Sequence, residues 1–363
     1  MVSTRTCSHL GCKQFEPALM KQSLTRRSIL VGVTASAVVP PPLFPSIAAV
    51  APPLIAADEL NARVTSFLSV LDEQKKKMVG FAWNGREWRN WNYFGGGGFI
   101  KPGLRLEQMS QPEKDATWNI LASVLSPSGL TKAKNVMLLQ DILAAAGNGR
   151  DQRSSQRFSI AIFGTPGPID SWGLRLEGHH LSLSFSVRNN QVVSVTPAAF
   201  AALPNRVMSG RHRGLNTLQG EEKLARRLQA DLAPRLRAQA ELSERRLFNI
   251  LSYAGRELAN TRKVGVAAAD MTEGQREILR RLIETYALEP YVGVLAAAQQ
   301  TRLRQNDLAG VHFAWYGPNE TEQSFGYRVI GDNFVIELGC IDLQAQHLHP
   351  IYHDLDTTLG QTT

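Results

Sequence analysis

Trp172-Gly173-Leu174-Arg175-Leu176-Glu177-Gly178-His179-His180-Leu181-Ser182-Leu183-Ser184-Phe185-Ser186-Val187 carries two apolar alternations of period two, the pattern of β-strands. Trp172, Leu174 and Leu176 occupy even positions, whereas Leu181, Leu183, Phe185 and Val187 occupy odd ones. The parity therefore switches across Glu177, Gly178, His179 and His180. A bulge near Gly178 would produce the switch and let Glu177, His179 and His180 converge on one place. A turn at Gly178 between two strands, with the histidines bonded to backbone, fits the same letters. Asn189-Asn190 then reads as a tight hairpin turn into a further strand.

The same texture recurs on both sides of this stretch. Phe158-Ser159-Ile160-Ala161-Ile162-Phe163 is a strand ended by Gly164, Pro166 and Pro168. Strands at 311–316, 326–330 and 333–338 close the chain, with Gly331-Asp332 as a hairpin turn. Between them lie helical patterns. Leu60, Val64, Phe67, Leu68 and Leu71 recur at helical spacing and predict a helix over 58–78, with Asp72-Glu73 and Lys75-Lys76-Lys77 as its solvated end. Two or three helices fit 110–147, with breaks near Pro127 and Gly129. Others fit 218–255, 272–288 and 292–305. Glutamates dilute the arginines of 218–255, so that segment reads as a solvated amphipathic surface. Runs of helices alternate with runs of hairpins, without a βαβ rhythm. The expected class is α+β: a mainly antiparallel sheet from hairpins, packed against several helices. No internal repeat and no dividing linker is evident, so residues 58–363 are expected to form one large domain.

Residues 81–94 are rich in aromatics, among them Trp83, Trp88, Trp91 and Tyr93. They suit either a stacking platform for a carbohydrate or core rings on an irregular lid or strand. Gly95-Gly96-Gly97-Gly98 lacks the Gly-Lys-Ser/Thr of a phosphate loop and reads as a flexible loop.

Ahead of this domain, Arg26-Arg27 sits in Ser23-Leu24-Thr25-Arg26-Arg27-Ser28-Ile29-Leu30, followed by a weakly apolar run to Val39. A general secretory signal fits this layout, and the two arginines with a modest apolar segment fit a twin-arginine export signal better. Pro40, Pro41, Pro42 and Pro45 break the run too soon for a membrane anchor, which needs about 20 apolar residues. Ser46-Ile47-Ala48 and Ala49-Val50-Ala51 resemble cleavage sites, and Pro52 disfavours the second. Residues 1–51 thus read as a twin-arginine-type signal peptide with a Pro/Ala-rich cleavage region. The expected location is periplasmic or secreted, with the twin-arginine machinery as a partner.

Arg5, Lys13, Lys21, Arg26 and Arg27 against Glu16 place half of the formal charge of +8 before residue 58. The mild remainder gives no case for nucleic-acid binding. Cys7 and Cys12 precede residue 58, so Cys340 has no partner for an internal disulfide in the mature chain. No later stretch is apolar enough to span a membrane.

Chemistry concentrates in two places. One is Glu177-Gly178-His179-His180, and the other is His347-Leu348-His349 with His353-Asp354. In extended chain His347 and His349 project from one face, a two-toothed grip on a transition metal. Imidazole suits zinc, copper, iron or nickel. The expected ligands are His179, His180, His347 and His349, with Glu177 or Asp354 as general base, and the two clusters are expected to meet in space. A cupin box is not expected, since a cupin needs more strands after its first box than the residues following His349 supply. No His-Glu-x-x-His helix and no Gly-x-Ser-x-Gly elbow occurs.

Phe163-Gly164-Thr165-Pro166, the long block 172–185, Thr196-Pro197, Phe313-Ala314-Trp315, Tyr327-Arg328, Gly331 and the closing His347-x-His349 with Asp354 together resemble a largely bacterial family catalogued as domain of unknown function 3500. The likeness runs over about residues 58–360. It implies an exported protein and supplies no mechanism. This chain departs from the family pattern at Tyr352-His353-Asp354 and around Leu338-Gly339-Cys340-Ile341.

Composition and motif together predict an exported metal-dependent hydrolase. The alternatives are a non-catalytic periplasmic binding protein for a small molecule or carbohydrate, and a metal-free hydrolase built on a histidine–carboxylate pair.

Overall fold

Two successive stretches of the chain fold in the same order. The computed structural model describes residues 55–95, 101–148, 153–257, 259–304 and 307–361. The export signal with Arg26-Arg27, its cleavage region and Gly96, Gly97 and Gly98 lie outside the described residues. The first stretch runs β1 (Ile55–Ala56), α1 (Asp58–Val70), α2 (Glu73–Val79), β2 (Gly80–Phe81), α3 (Arg86–Arg89), β3 (Leu104–Arg105), α4 (Gln111–Ala122), α5 (Pro127–Leu143), β4 (Ser159–Phe163), β5 (Trp172–Gly178), β6 (Leu181–Arg188), β7 (Gln191–Ser194) and β8 (Ala198–Phe200). The second runs α6 (Gln219–Asp231), α7 (Pro234–Ala240), β9 (Glu241–Ser243), β10 (Val266–Ala267), α8 (Glu273–Ala287), α9 (Gly293–Arg304), β11 (His312–Tyr316), β12 (Gly326–Ile330), β13 (Phe334–Cys340) and β14 (Leu348–Asp354).

The repetition extends to pairing and to single residues. β2 joins β4 in parallel, and β9 joins β11 in parallel. β3–β4–β5–β6 and β10–β11–β12–β13 are antiparallel throughout. Arg175 donates from Nε to Ser184 Oγ at 3.0 Å, and Arg328 donates from Nε to Glu337 Oε1 at 2.7 Å, the partner standing nine residues on in both. Gly164 and Gly317 each hold φ +84 against the carbonyl of Ser171 and of Ser324. Ser110 with Glu113 and Thr272 with Gln275 form matching capping boxes at the starts of α4 and α8. The expectation of no internal repeat is therefore corrected. The repeat hides in the sequence because few letters agree. Those that do hold turns, caps and the buried arginine, while side chains that pack against different neighbours have diverged.

The two units meet where β8 and β14 pair antiparallel at Ala198 and Tyr352. The sheet order is β10-β11-β12-β13-β14-β8-β6-β5-β4-β2, mostly antiparallel, and the fold is α+β as expected. One face of the sheet buries Leu174, Leu183 and Phe185 against Val64, Phe67, Ile120 and Val136. Further along the same face, Tyr327, Val329 and Ile336 pack with Leu228, Leu279 and Leu282. The longer helices thus cover this face, and the short α3 lies on the other. Mostly irregular chain covers that other face: Trp88, Trp91 and Tyr93 from one segment and Ile250 from another meet Phe163 and Ile351 there. The three aromatic side chains are buried, so they are core rings of a lid and present no open platform.

Several element boundaries differ from the sequence reading, each for a local reason. The helix expected over 58–78 breaks at Leu71, because Asp72 accepts the Lys75 N–H and starts a second helix. The helical reading of 218–255 fails beyond Ala240, where β9 and then irregular chain take over. The parity switch at 177–180 comes from no bulge but from a turn between two strands, centred just after Gly178. Gly178 pairs with Leu181, so His179 and His180 form the two-residue turn of the β5–β6 hairpin. Partners across such a turn sum to an odd number, so even-numbered Trp172, Leu174 and Leu176 face odd-numbered Val187, Phe185 and Leu183. Asn189 and Asn190 both hold positive φ, as a tight hairpin turn requires. Among the described residues no helix is long and apolar enough to cross a membrane.

Candidate metal centre

The β5–β6 turn and the start of β14 meet on the lid-covered side of the sheet. Gly178 permits the turn, because a Cβ there would lie 2.2 Å from the Phe158 ring. His180 takes the second turn position with φ +72, a left-handed conformation disfavoured for a residue with a Cβ. Two backbone hydrogen bonds hold it: its N–H donates to Tyr93 O at 2.8 Å, and its carbonyl accepts from Ala201 N–H at 2.7 Å. The imidazole thereby faces His347, Nε2 to Nε2, at 3.0 Å. His349 Nε2 stands 3.0 Å from the same His347 atom. The ligand atoms of His180, His347 and His349 all lie within 4.8 Å of one another. His180 and His349 are buried and His347 is half-buried. The two histidine clusters of the sequence are thus one cluster in space.

The tautomer of His349 follows from its surroundings. Asn249 Oδ1 accepts the Ile250 N–H at 2.8 Å, which fixes that atom as the oxygen. The same oxygen lies 3.1 Å from His349 Nδ1, so Nδ1 carries the proton and donates. Nε2 is then a bare lone pair directed at the cluster. Gly339, opposite His349 in the ladder, makes the arrangement possible, since a Cβ there would stand 2.6 Å from Asn249 Cα.

The ring of His179 lies over that of His180, with centroids 3.8 Å apart and planes tilted by 37°. It does not join the trio of converging atoms. Its Nδ1 lies 2.8 Å from Gln140 Oε1, and Arg153 Nη1 lies 3.2 Å from both atoms. An Nδ1–H donated to the Gln140 oxygen satisfies that group and leaves Nε2 bare, as at His349. Gly95 lies flat against this ring, and a Cβ there would come within 2.7 Å of it.

All four imidazoles are held neutral. Burial lowers His179 to about 3, helped by Arg153, His347 and Lys101. Burial lowers His347 to about 4, with Asp342 opposing and Arg153 reinforcing. His180 and His349 are pushed well below the usual range, chiefly by burial and then by the neighbouring histidines. A bare, neutral imidazole nitrogen is the form a metal binds.

The two carboxylates singled out from sequence part company. Glu177 is buried beside the hairpin turn. Its Oε1 accepts from Asn92 N–H and, at 3.1 Å, from Ser182 Oγ, while Oε2 has no hydrogen-bond partner. Lys101 binds the Asn92 carbonyl at 2.6 Å, and its pKa falls to about 8 through burial, with Glu177 opposing. Asp354 lies at the far end of β14, about 16 Å along the strand from His349 at the usual rise. It pairs with Arg302 Nη1 at 2.9 Å and accepts from the N–H groups of Asp356 and Thr357, so it anchors the chain after β14. The structure does not bring it to the histidines.

Asn249, Gln140 and Arg153 complete the surroundings, and sequence reasoning passed over all three. Asn249 fell in a segment read as helix, and Gln140 lies in α5 with no local motif to mark it.

The residues present fit a transition metal. Ligand nitrogens about 2.0–2.1 Å from a tetrahedral ion sit a little over 3 Å apart, close to the 3.0 Å that separates His347 Nε2 from each of the other two. His180 Nε2 and His349 Nε2 both face His347 Nε2, and one ring proton there is not donated squarely to both, which leaves a nitrogen lone pair for an ion.

Fold and site define an α+β protein of two repeated units, with a three-histidine cluster formed by the first unit's β5–β6 turn and the start of the second unit's β14. The chain belongs to the family described as protein of unknown function (DUF3500), which it matches over residues 55–360. Neither the curated proteins nor the solved structures yield a match.

Proposed function

We propose that this protein is an exported metal-dependent hydrolase whose ion is held by His180, His347 and His349. The convergence of three imidazole nitrogens, one of them fixed as a bare lone pair by Asn249, carries the reading. An all-imidazole donor set favours zinc, copper or iron over calcium or magnesium. Such an ion supplies Lewis acidity at an open coordination position. His179, whose bare Nε2 belongs to the ring lying over His180, is the fourth imidazole of the site. Glu177 is the proton acceptor in this reading. It is the buried carboxylate beside the turn, and its Oε2 is not engaged. Export before action is supported by Arg26-Arg27 and the apolar run behind them.

Elemental analysis of mature protein purified from the periplasm is expected to find about one transition-metal ion per chain. Absence of any ion, together with a thermal melt unmoved by chelator, would leave a metal-free hydrolase or a binding protein. Export is tested separately. Arg26→Lys with Arg27→Lys is expected to hold the precursor in the cytoplasm, because the planar guanidinium is not replaced by an ammonium. Normal periplasmic accumulation of that double variant would refute the twin-arginine route.

A further inference from the structure

Arg153 stands beside His179, and among the described residues it has no counter-ion. Its Nη1 reaches Gln140 Oε1 and His179 Nδ1, both at 3.2 Å. Among the described residues it forms no ion pair, and no hydrogen bond uses its Nε or Nη2. Lys101, the other cation acting on His179, differs in having Glu177 beside it. Burial lowers the pKa of Arg153. A part-buried guanidinium is normally matched by an anion, because desolvating it unpaired is unfavourable. The same charge bears on His180 and His347 as well as His179. The metal ligands are neutral imidazoles, so a divalent ion brings a charge that they leave uncompensated.

We propose that Arg153 is the anchor for an oxyanion carried by the substrate, a carboxylate or phosphate group received on the guanidinium edge that His179 and Gln140 leave free. This rests on the metal reading above and narrows it: the substrate is anionic. The planar fork of arginine, with Nε and Nη2 on one edge, suits two-point contact with such a group. Gln140 Oε1 accepts from Nη1, so the opposite edge is presented already oriented.

The test is calorimetric binding of inorganic phosphate and of acetate to the mature protein, metal-loaded and metal-stripped, for wild type, Arg153→Gln and Arg153→Lys. At least one anion is expected to bind the wild type. Arg153→Gln is expected to weaken it about tenfold or more, as the loss of a charge-assisted contact implies. Arg153→Lys is expected to recover part of that loss. Metal content and melting temperature are expected to stay at wild-type values in both variants, since Arg153 is not a ligand. If the metal reading fails and no ion is found, Arg153-dependent anion binding by the metal-free chain still supports the anchor. Failure of both anions to bind the wild type, or equal binding by Arg153→Gln, would overturn it.

Discussion

Arg328→Met is expected to destabilise the protein by about 3–5 kcal/mol, the usual result of removing one partner from a buried ion pair. Glu337 is fully buried and has Arg328 Nε at 2.7 Å. Its other oxygen accepts from Leu251 N–H, Ser252 N–H and Ser252 Oγ at 2.8–2.9 Å. Those donors fasten the irregular segment that carries Asn249, the partner of His349. Without the guanidinium the carboxylate is left as an unpaired charge, and Asn260 O loses its donor as well. Arg328→Met with Glu337→Gln is expected to recover a large part of the loss. The amide keeps an acceptor for Leu251 and Ser252 while removing the charge. Urea unfolding of the two variants decides the matter. If the double variant is no more stable than the single one, the loss comes from packing and not from charge.

The repeated architecture explains what could be read from the letters. β4, β5, β6, β12 and β13 are amphipathic or wholly buried, and their alternation or β-branched content is visible in a short window. The hairpin signals Asn189-Asn190 and Gly331-Asp332 are equally local. The convergence of the histidine clusters depends instead on β14 crossing to pair with β8, a long-range contact that leaves no mark in either segment. Ser184 and Glu337 show why the repeat escaped notice. They occupy equivalent places opposite equivalent arginines, yet one is a hydroxyl and the other a carboxylate. At the site, side chains on regular strands or their turn were found from sequence. Asn249 was not, because it lies in irregular chain whose course is set by Gly339 and Glu337 on another strand. Asp354 misled for a related reason. Nearness in sequence to His349 suggested nearness in space, whereas five residues of extended strand carry it well away from the cluster.

His349→Ala and His180→Ala are each expected to lower metal affinity by more than about 100-fold, beyond the 10–100-fold typical of losing an outer hydrogen-bond partner. Asn249→Ala is expected to fall within that smaller range, since it frees the His349 ring without removing the ligand. Bound metal raises the melting temperature by mass action, about 4 kcal/mol when its concentration is a thousand times Kd. Wild type is therefore expected to melt lower in chelator, and the two alanine variants to show little chelator response. The acid behaviour of the metal-free chain gives an independent check. An imidazole whose folded pKa lies below its unfolded value takes up fewer protons when folded, so stability rises with pH between those values. The stabilisation is complete above the ordinary value of 6.5 and is lost as pH falls through about 4 for His347. His180 and His349 shift in the same direction. Metal-free wild type is thus expected to lose stability steadily from pH 6.5 towards 4, and His347→Ala to lose less over that window. Equal acid profiles for the two would mean that His347 does not sit neutral in the cluster. The short contacts between these nitrogens would then need a proton shared along the chain of imidazoles, an arrangement with no free lone pair left for an ion.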